Sequence, residues 1–422
     1  MALLVQKFGG SSVADPERIR AVADHVARTV RRGNQVVVVV SAMGKTTDDL
    51  IRLANAVLTN ESGPVEKATK KGDVPIKGDN REMDMLLTAG ERMSAALVAM
   101  AIDDLGIPAQ SFTGSQAGIV TDTSHGRAKI VEMRSDRIRD ALARGFVPVV
   151  AGFQGVSTDK DITTLGRGGS DTTAVAVAAA VGADECEIYT DVTGVFTADP
   201  RVAPKAHRMK TVSSEEMLEM AGSGSGVVAL RAVEFAATHG VTLHVRSSFT
   251  WEPGTIITKE DPSMEQAVVS GITHDTSEAK VTVVAVPDRP GIAALLFRSL
   301  ADRRVNVDMI VQNTSQNGLT DISFTVPKSD LNAALEVCNP IATEIGADSV
   351  VSDANIARVS IVGAGMRTNP GVSATMFETL ANAGVNIEMI STSTIRLSCV
   401  IAGDQVETAV QALHTAFGLD VA

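Results

Sequence analysis

Hydrophobic positions along the first 250 residues switch repeatedly between two periods. QVVVVVS (residues 35–41) is an unbroken β-branched run of the kind found in strands buried on both faces, and Pro16 to Arg31 before it has the spacing of a helix. GFVPVVAGF and ECEIYTD repeat the theme, each after a helical stretch. This alternation predicts an α/β fold with a mostly parallel sheet between helices. Such sheets bind ligands at the carboxyl ends of their strands, which directs attention to KFGGSS, SAMGKTTD, AGFQG and TDVTGVFTADPR.

TTLGRGGSDTTAVAVAAAVGA (residues 163–183) places three glycines, Arg167 and Asp171 at the mouth of an apolar helix. The first N–H groups of a helix lack intrahelical partners, so bare backbone there lets an anion approach; an ordinary N-cap by Ser170 or Asp171 is the alternative. Residues 59–81 are rich in charge, Gly and Pro without an apolar period and are expected to form a solvated loop.

Beyond Trp251 the pattern changes. FTWEPGTIITKEDPSMEQ reads as a boundary, and after it VTVVAVPDRPGIAALLFRSLADRRVNVDMI and VSIVGAGMRTNPGVSATMFETLANAGVNIEMI match as strand, Pro-Gly turn, helix and strand. Asn306 and Asn386, like the two Pro-Gly pairs, lie 80 residues apart. The repeat is one small unit used twice, either as a ligand-sensing pair or as duplicated bulk. The expected domains are 1–250, a linker 251–264, and two units at 265–345 and 346–422, which can interleave near the chain ends.

Composition narrows the chemistry. At 422 residues and 44% hydrophobic, the chain can build several cores, and a net charge of −12 excludes nucleic acid as the main partner. Cys186, Cys338 and Cys399 have no paired spacing and read as buried apolar groups of a reducing compartment. No leader or membrane-spanning run of apolar residues is evident, so a soluble, cytoplasmic protein with no membrane partner is expected. Seven scattered histidines give no metal site built by the protein alone.

KFGGSS, SAMGKTTDDL, TAGERMSAALVAMAI, AGFQG, TTLGRGGSDTTA and TDVTGVFTADPR, in this order, resemble the aspartate kinases of the amino acid kinase superfamily. The tail repeats resemble their tandem ferredoxin-like ACT domains, most closely the actinobacterial type that responds to lysine and threonine at subunit interfaces. The resemblance spans nearly the whole chain and implies ATP with Mg²⁺, L-aspartate as substrate, 4-phospho-L-aspartate as product, and an oligomer, either homomeric or of α/β type, assembled through the ACT domains.

A carboxylate acceptor is already ionised at neutral pH, so the reaction demands charge neutralisation and alignment rather than a general base. Lys7, followed by Gly9, Gly10 and Ser11, supplies a cation and backbone N–H groups for the transferring phosphoryl, unless it is a surface lysine. By resemblance Asp171 organises such cations, and Ser41, Gly44 and Thr47 belong to the substrate pocket with Ser170. An amino acid's two α-groups call for a guanidinium and a carboxylate, roles the resemblance gives to Arg167 and Glu91; a helix-start carboxylate is the alternative for Glu91. Thr190, Asp191, Phe196, Asp199 and Arg201 match the nucleotide side, with Thr193 at a variable position. Asp288, Gln312, Asn313, Asn386, Ile387 and Thr392 match the effector region.

The sequence departs from that pattern at three places. Gly226 stands where the family usually has a lysine reaching the nucleotide phosphates, Thr394 stands where the actinobacterial type has Glu, and the 59–81 loop is longer than usual. Met264 resembles the place where some relatives start a separate regulatory subunit. Kinases of other acidic amino acids, and a catalytically weakened regulatory paralogue, are the competing readings.

Overall fold

The computed structural model describes residues 1–59, 80–259, 267–313 and 318–421; most of the expected loop at 59–81, and Met264, lie outside them. By its contacts the chain forms two units. The first comprises Met1–Val195, Arg208–Ala221 and Gly226–Pro262, and the second Phe196–His207, Gly222–Ser225 and Ser263–Ala422.

The first unit opens with β1 (Leu3–Phe8), α1 (Pro16–Arg31) and β2 (Gln35–Val40). Asp15 caps α1 by accepting the Arg18 N–H at 2.9 Å, and Pro16 needs no donor at the first helical position. After α2 (Thr46–Thr59) and α3 (Asn80–Asp104) come β3 (Ala109–Phe112), β4 (Ile119–Thr121), β5 (Ile130–Met133), α4 (Asp136–Ala143), β6 (Val147–Ala151), β7 (Gln154–Ser157) and β8 (Ile162–Thr164). The unit continues through α5 (Gly169–Val181), β9 (Glu185–Thr190), β10 (Thr211–Ser213), α6 (Ser214–Gly222), α7 (Leu230–His239), β11 (Leu243–Ser247) and β12 (Thr255–Thr258).

Eight strands form one sheet in the order β10-β12-β11-β9-β1-β2-β6-β3, parallel throughout except for the β11–β12 pair. The five valines of β2 are all buried, which is why that run shows no alternation. On one face Phe8, Val38, Val40 and Tyr189 join α1 and α3 in a common core. The opposite face of β1, carrying Val5 and Lys7, meets α5, whose Ala and Val residues are buried almost all round. β5-β4-β7-β8 make a small second sheet.

The second unit contains β13 (Gly271–Asp275), β14 (Glu278–Pro287), α8 (Ile292–Asp302), β15 (Ile310–Gln312), β16 (Leu319–Pro327), α9 (Leu331–Ile345) and β17 (Ser349–Asp353), then β18 (Ile356–Val362), α10 (Val372–Asn382), β19 (Met389–Thr392), β20 (Arg396–Ala402) and α11 (Val406–Ala416). Two four-stranded sheets result, β15-β16-β14-β17 and β13-β18-β20-β19, with every pair antiparallel. The repeat is visible in the backbone: Gly291 and Gly371 cap α8 and α10 with φ of +98° and +102°. That left-handed conformation costs glycine nothing.

The chain does not divide where the sequence pattern broke. Thr255–Thr258 is a strand of the large sheet rather than linker, and Phe196–His207 and Gly222–Ser225 pack with the second unit, where Ala198 and Ala203 enter its core. Within that unit β13 joins the sheet of the later repeat and β17 that of the earlier one, so each repeat lends an edge strand to the other's sheet. Edge pairing depends on unsatisfied backbone groups, which leave no mark on hydrophobic periodicity.

Candidate active site

The carboxyl ends of β1, β2 and β9 converge in the first unit. Gly9 N–H donates to Tyr189 O at 3.3 Å, Ser41 N–H to Phe8 O at 3.1 Å, and Gly44 N–H to Gly10 O at 3.0 Å. A Cβ at Gly10 would stand 2.9 Å from Ala42 O, so only glycine lets these two loops close on each other. Lys7 is almost fully buried here. Its Nζ lies 2.6 Å from Asp171 Oδ1, in an alignment that leaves this oxygen without a well-directed donor.

Asp171 comes from the first turn of α5. Neither Ser170 nor Asp171 caps that helix: the cap is Gly168, at φ +69°, and a Cβ there would meet the Ala229 methyl at 2.2 Å. Asp171 is thereby free to face Lys7, and its other oxygen accepts the Ala229 N–H at 3.3 Å. Ser170 is buried against Gly152, while Arg167 is exposed on the loop before the helix.

Glu91, on α3, is 3% exposed. One carboxylate oxygen accepts the Ala42 N–H at 3.3 Å; the other is buried with no partner. Burial without a nearby cation pushes its pKa up to about 7. Gly90 lets α3 press against Ala42, since a Cβ would approach the Ala42 methyl to 2.8 Å. Ser41 and Thr47 are half-buried on either side of that loop.

Thr190 and the exposed Asp191 end β9, with the Thr190 hydroxyl donating to Asp191 Oδ1 at 3.1 Å. The rest of that motif belongs to the second unit. There Arg201 folds back in an ion pair with Asp199 at 2.7 Å, whose pKa it holds down, and Phe196 is half-buried. Asp288, Gln312, Asn313, Asn386 and Thr392 are exposed and Ile387 is half-buried; Gln312 and Thr392 end the sheet-edge strands β15 and β19.

Three further features of the first unit bear on the site, the first two without a sequence signal and the third at a position the sequence had singled out. Asp84, buried on α3, accepts hydrogen bonds from Gly126 N–H, the Thr164 hydroxyl and His125 Nδ1, tying the loop at 122–128 to that helix. Arg231 donates to Leu165 O and Ala128 O, each at 2.9 Å, and so holds the approach to Arg167. Gly226 faces open space, with nothing within 4 Å of an added Cβ.

Residues 2–247 match the amino acid kinase family, and residues 276–340 and 359–417 match the ACT domain. A Mycolicibacterium smegmatis protein named aspartokinase is 56% identical over 99% of this chain and 97% of its own length. The chain belongs to the aspartokinase family. E. coli aspartokinase III, solved with aspartate and ADP in an R-state, is 25% identical with a TM-score of 0.79, over 98% of this chain and 99% of that one. The same E. coli protein with lysine and aspartate, in a T-state, is 25% identical with a TM-score of 0.74, over 99% of both chains.

Other reactive residue types among the described residues of this aspartokinase-family chain add no nucleophile or cation site to the one around Lys7. All three cysteines are free and buried, and burial raises the Cys338 and Cys399 thiols to about 11 and about 12, so they are inert as nucleophiles. Among the described residues Glu185, Glu187 and His244 have donor atoms near enough to share a cation, but His244 is bonded to Glu185, and Glu187 to Arg246 and Gln6. α3 has the length and apolar composition to cross a bilayer, yet half of its most apolar stretch is buried in this fold.

Proposed function

We propose that the chain transfers the γ-phosphoryl group of ATP to the side-chain carboxylate of L-aspartate, giving ADP and 4-phospho-L-aspartate, the first step toward lysine, threonine and methionine in the cytoplasm. The observation that carries this reading is the unpartnered buried carboxylate of Glu91, close to the loops that hold Lys7. A carboxylate left without a counter-charge is costly, and the substrate's α-ammonium supplies what is missing.

The remaining roles follow from charge and position. Arg167 forks onto the α-carboxylate, and Ser41, Thr47 and Ser170 complete the aspartate pocket. Lys7, oriented by Asp171, neutralises the transferring phosphoryl over the N–H groups of Gly10 and Ser11, while Gly9, whose N–H is held by Tyr189 O, keeps the backbone bare beside the Lys7 ammonium. An aspartate oxygen attacks the γ-phosphorus as the bond to ADP breaks, and no proton moves. Thr190, Asp191, Phe196, Asp199 and Arg201 serve the nucleotide. Mg²⁺ entering with ATP would be held mainly by phosphate oxygens, with the exposed Asp191 as the available carboxylate, and would offset phosphate charge.

The second unit senses a free amino acid, lysine or threonine, through Asp288, Gln312, Asn313, Asn386, Ile387 and Thr392. β15 and β19 are sheet edges with unpaired backbone groups, which favours assembly of copies there. Gly226 supports a second reading, a weakened paralogue kept for regulation: Arg231 is committed to two carbonyls, and Lys205 is bonded to Asp420 in the second unit, so neither replaces the family lysine.

Coupled turnover of ATP with and without L-aspartate, with the acyl phosphate trapped by hydroxylamine, tests the main reading; aspartate-independent or absent turnover overturns it. Arg167→Lys should raise KM for aspartate far more than KM for ATP, because an ammonium cannot make two parallel hydrogen bonds.

A further inference from the structure

The sheet face turned away from Lys7 carries a cavity that the phosphoryl-transfer reading does not use. Leu4, Gln6 and Phe8 alternate with Lys7 along β1 and so point to the α1 side, in register with Glu187 and Tyr189 of β9 and, through these, with His244 and Arg246 of β11. Beyond α1 this face is polar where it would ordinarily be apolar. A cavity of about 120 Å³ lies over it, walled by His25, Arg28, Thr29 and Arg32 of α1 and its C-cap and covered by Trp251.

Charge in this cavity does not balance. Arg246 is neutralised by Glu187 at 2.7 Å, the one carboxylate of the lining. Arg28 and Arg32 then remain, both exposed at the rim of the cavity, and neither is in an ion pair among the described residues. Proximity to the carboxyl end of α1 accounts for part of this, but Arg31 at the same end satisfies the Leu105 carbonyl instead. His25 adds no charge near neutrality, since burial lowers its pKa to about 4, and its Nε2 is engaged with the Tyr189 hydroxyl at 2.7 Å.

A hydrogen-bond acceptor is also unmet. Gln6 is fully buried, and its amide donates to Glu187 and Thr29, two residues of the lining, at 2.7 and 3.3 Å. Its carbonyl oxygen has no partner. Two unpaired guanidinium groups at the rim, above an orphan acceptor buried next to the lining residues Glu187 and Thr29, are complementary to an anion that also donates. The aromatic cover is part of the same assembly: Trp251 stacks on His25 with centroids 5.1 Å apart, and the Arg28 guanidinium lies 5.1 Å from the Trp251 ring.

We propose that this cavity is a second ligand site, taking a small oxyanion that carries its own hydrogen-bond donor, such as a hydroxycarboxylate or a monohydrogen phosphate. Arg28 and Arg32 bind the anionic oxygens, and the donor reaches toward Gln6 and Glu187. The site is separated from Lys7 by the thickness of the sheet, so the inference stands independently of the phosphotransferase reading. A 120 Å³ space holds a molecule of metabolite size at most, or about four waters at roughly 30 Å³ each.

Trp251 is the only tryptophan of the chain, so its fluorescence in the intact protein reports this site directly. Titration with inorganic phosphate and with L-malate should each be tried against potassium chloride at matched ionic strength; a saturable change with either anion is expected, and which one acts identifies the class. Succinate, with malate's charge but no hydroxyl, should bind several-fold more weakly, about the loss of one hydrogen bond. Arg28→Ala with Arg32→Ala should weaken the response about tenfold or more while leaving aspartate phosphorylation intact. Trp251→Phe should abolish the signal while calorimetry still detects binding. No saturable change with phosphate or malate, a change that chloride reproduces, or an unaltered response in the double arginine variant would each overturn the proposal.

Discussion

Glu91 in the first unit and Arg358 in the second meet burial in opposite ways. In the first, Glu91 is a carboxylate without a cation, its pKa lifted to about 7 by burial alone. In the second, Arg358 is almost wholly buried and has more carboxylates than one cation requires: Glu278 at 3.0 Å, Asp275 at 3.5 Å and Asp308 in closer contact, with Gly222 O accepting a further bond at 3.0 Å. The first arrangement carries a desolvation cost that no cation of the fold offsets. The second has its counter-charges within the fold, although Arg358 Nε and one Glu278 oxygen are buried without a hydrogen-bond partner, and it joins β13, β14, β18 and the Gly222–Ser225 segment. A buried carboxylate with no cation in the fold is therefore a sharper candidate for a ligand contact than burial alone provides.

The largest effect that would break this comparison is on stability. Arg358→Leu leaves three carboxylates together without their cation and should cost about 3–5 kcal/mol in chemical denaturation, with aspartate KM in the surviving folded protein nearly unchanged. A loss below about 1 kcal/mol would show the cluster to be a solvated surface pair instead.

Glu91→Gln should act the other way round. Losing the proposed charge-assisted bond to the α-ammonium should raise aspartate KM by roughly a hundredfold, the equivalent of about 2–3 kcal/mol. Stability should rise. A carboxyl whose folded pKa exceeds its unfolded value of about 4.5 keeps its proton better when folded, so stability is lost as pH climbs from 4.5 toward 7. The glutamine removes that loss and should stabilise the ligand-free protein at pH 8 by up to roughly 3 kcal/mol, read as a raised Tm. Falling stability with unchanged KM would return Glu91 to a structural role.

Gly226→Lys sharpens the catalytic side. The position is open, and Ala229, three residues on, is bonded to Asp171, so a long cation there has space and is near the site. The substitution should raise kcat/KM for ATP by about five- to a hundredfold, worth 1–3 kcal/mol, and leave aspartate KM alone. Steady-state kinetics showing no gain would end the weakened-site reading. The smallest effect is pH dependence in the parent protein: with Glu91 near 7, aspartate KM should rise roughly tenfold from pH 8 to pH 6, and Glu91→Gln should flatten that profile.

Much of this was legible beforehand. The five valines of β2, the helix from Pro16 to Arg31 and the paired Pro-Gly turns became the elements their periods specified, because each is a local match between side-chain spacing and backbone geometry. The glycines around Lys7 and Asp171 marked the loops that close on one another. Less was legible of partnership. Nothing in TAGERMSAAL distinguishes a Glu91 that caps charge at a helix start from one with a bare oxygen, and nothing in the first repeat shows that its sheet takes β17 from beyond its own helices.

What the sequence determined by itself was therefore the alternation of elements, the repeat, the motif order that carries the family, and the net acidity, since all of these are properties of neighbours along the chain. Only the tertiary structure decided which charges find partners: Lys7 with Asp171 across 164 residues, Arg358 amid three acids, Glu91 with no cation, and Arg28 and Arg32 beside Trp251 and Glu187 around one cavity. The reason is physical. Periodicity records how a segment meets water, whereas the cost of a buried charge depends on which distant groups the fold brings within a few ångströms of it.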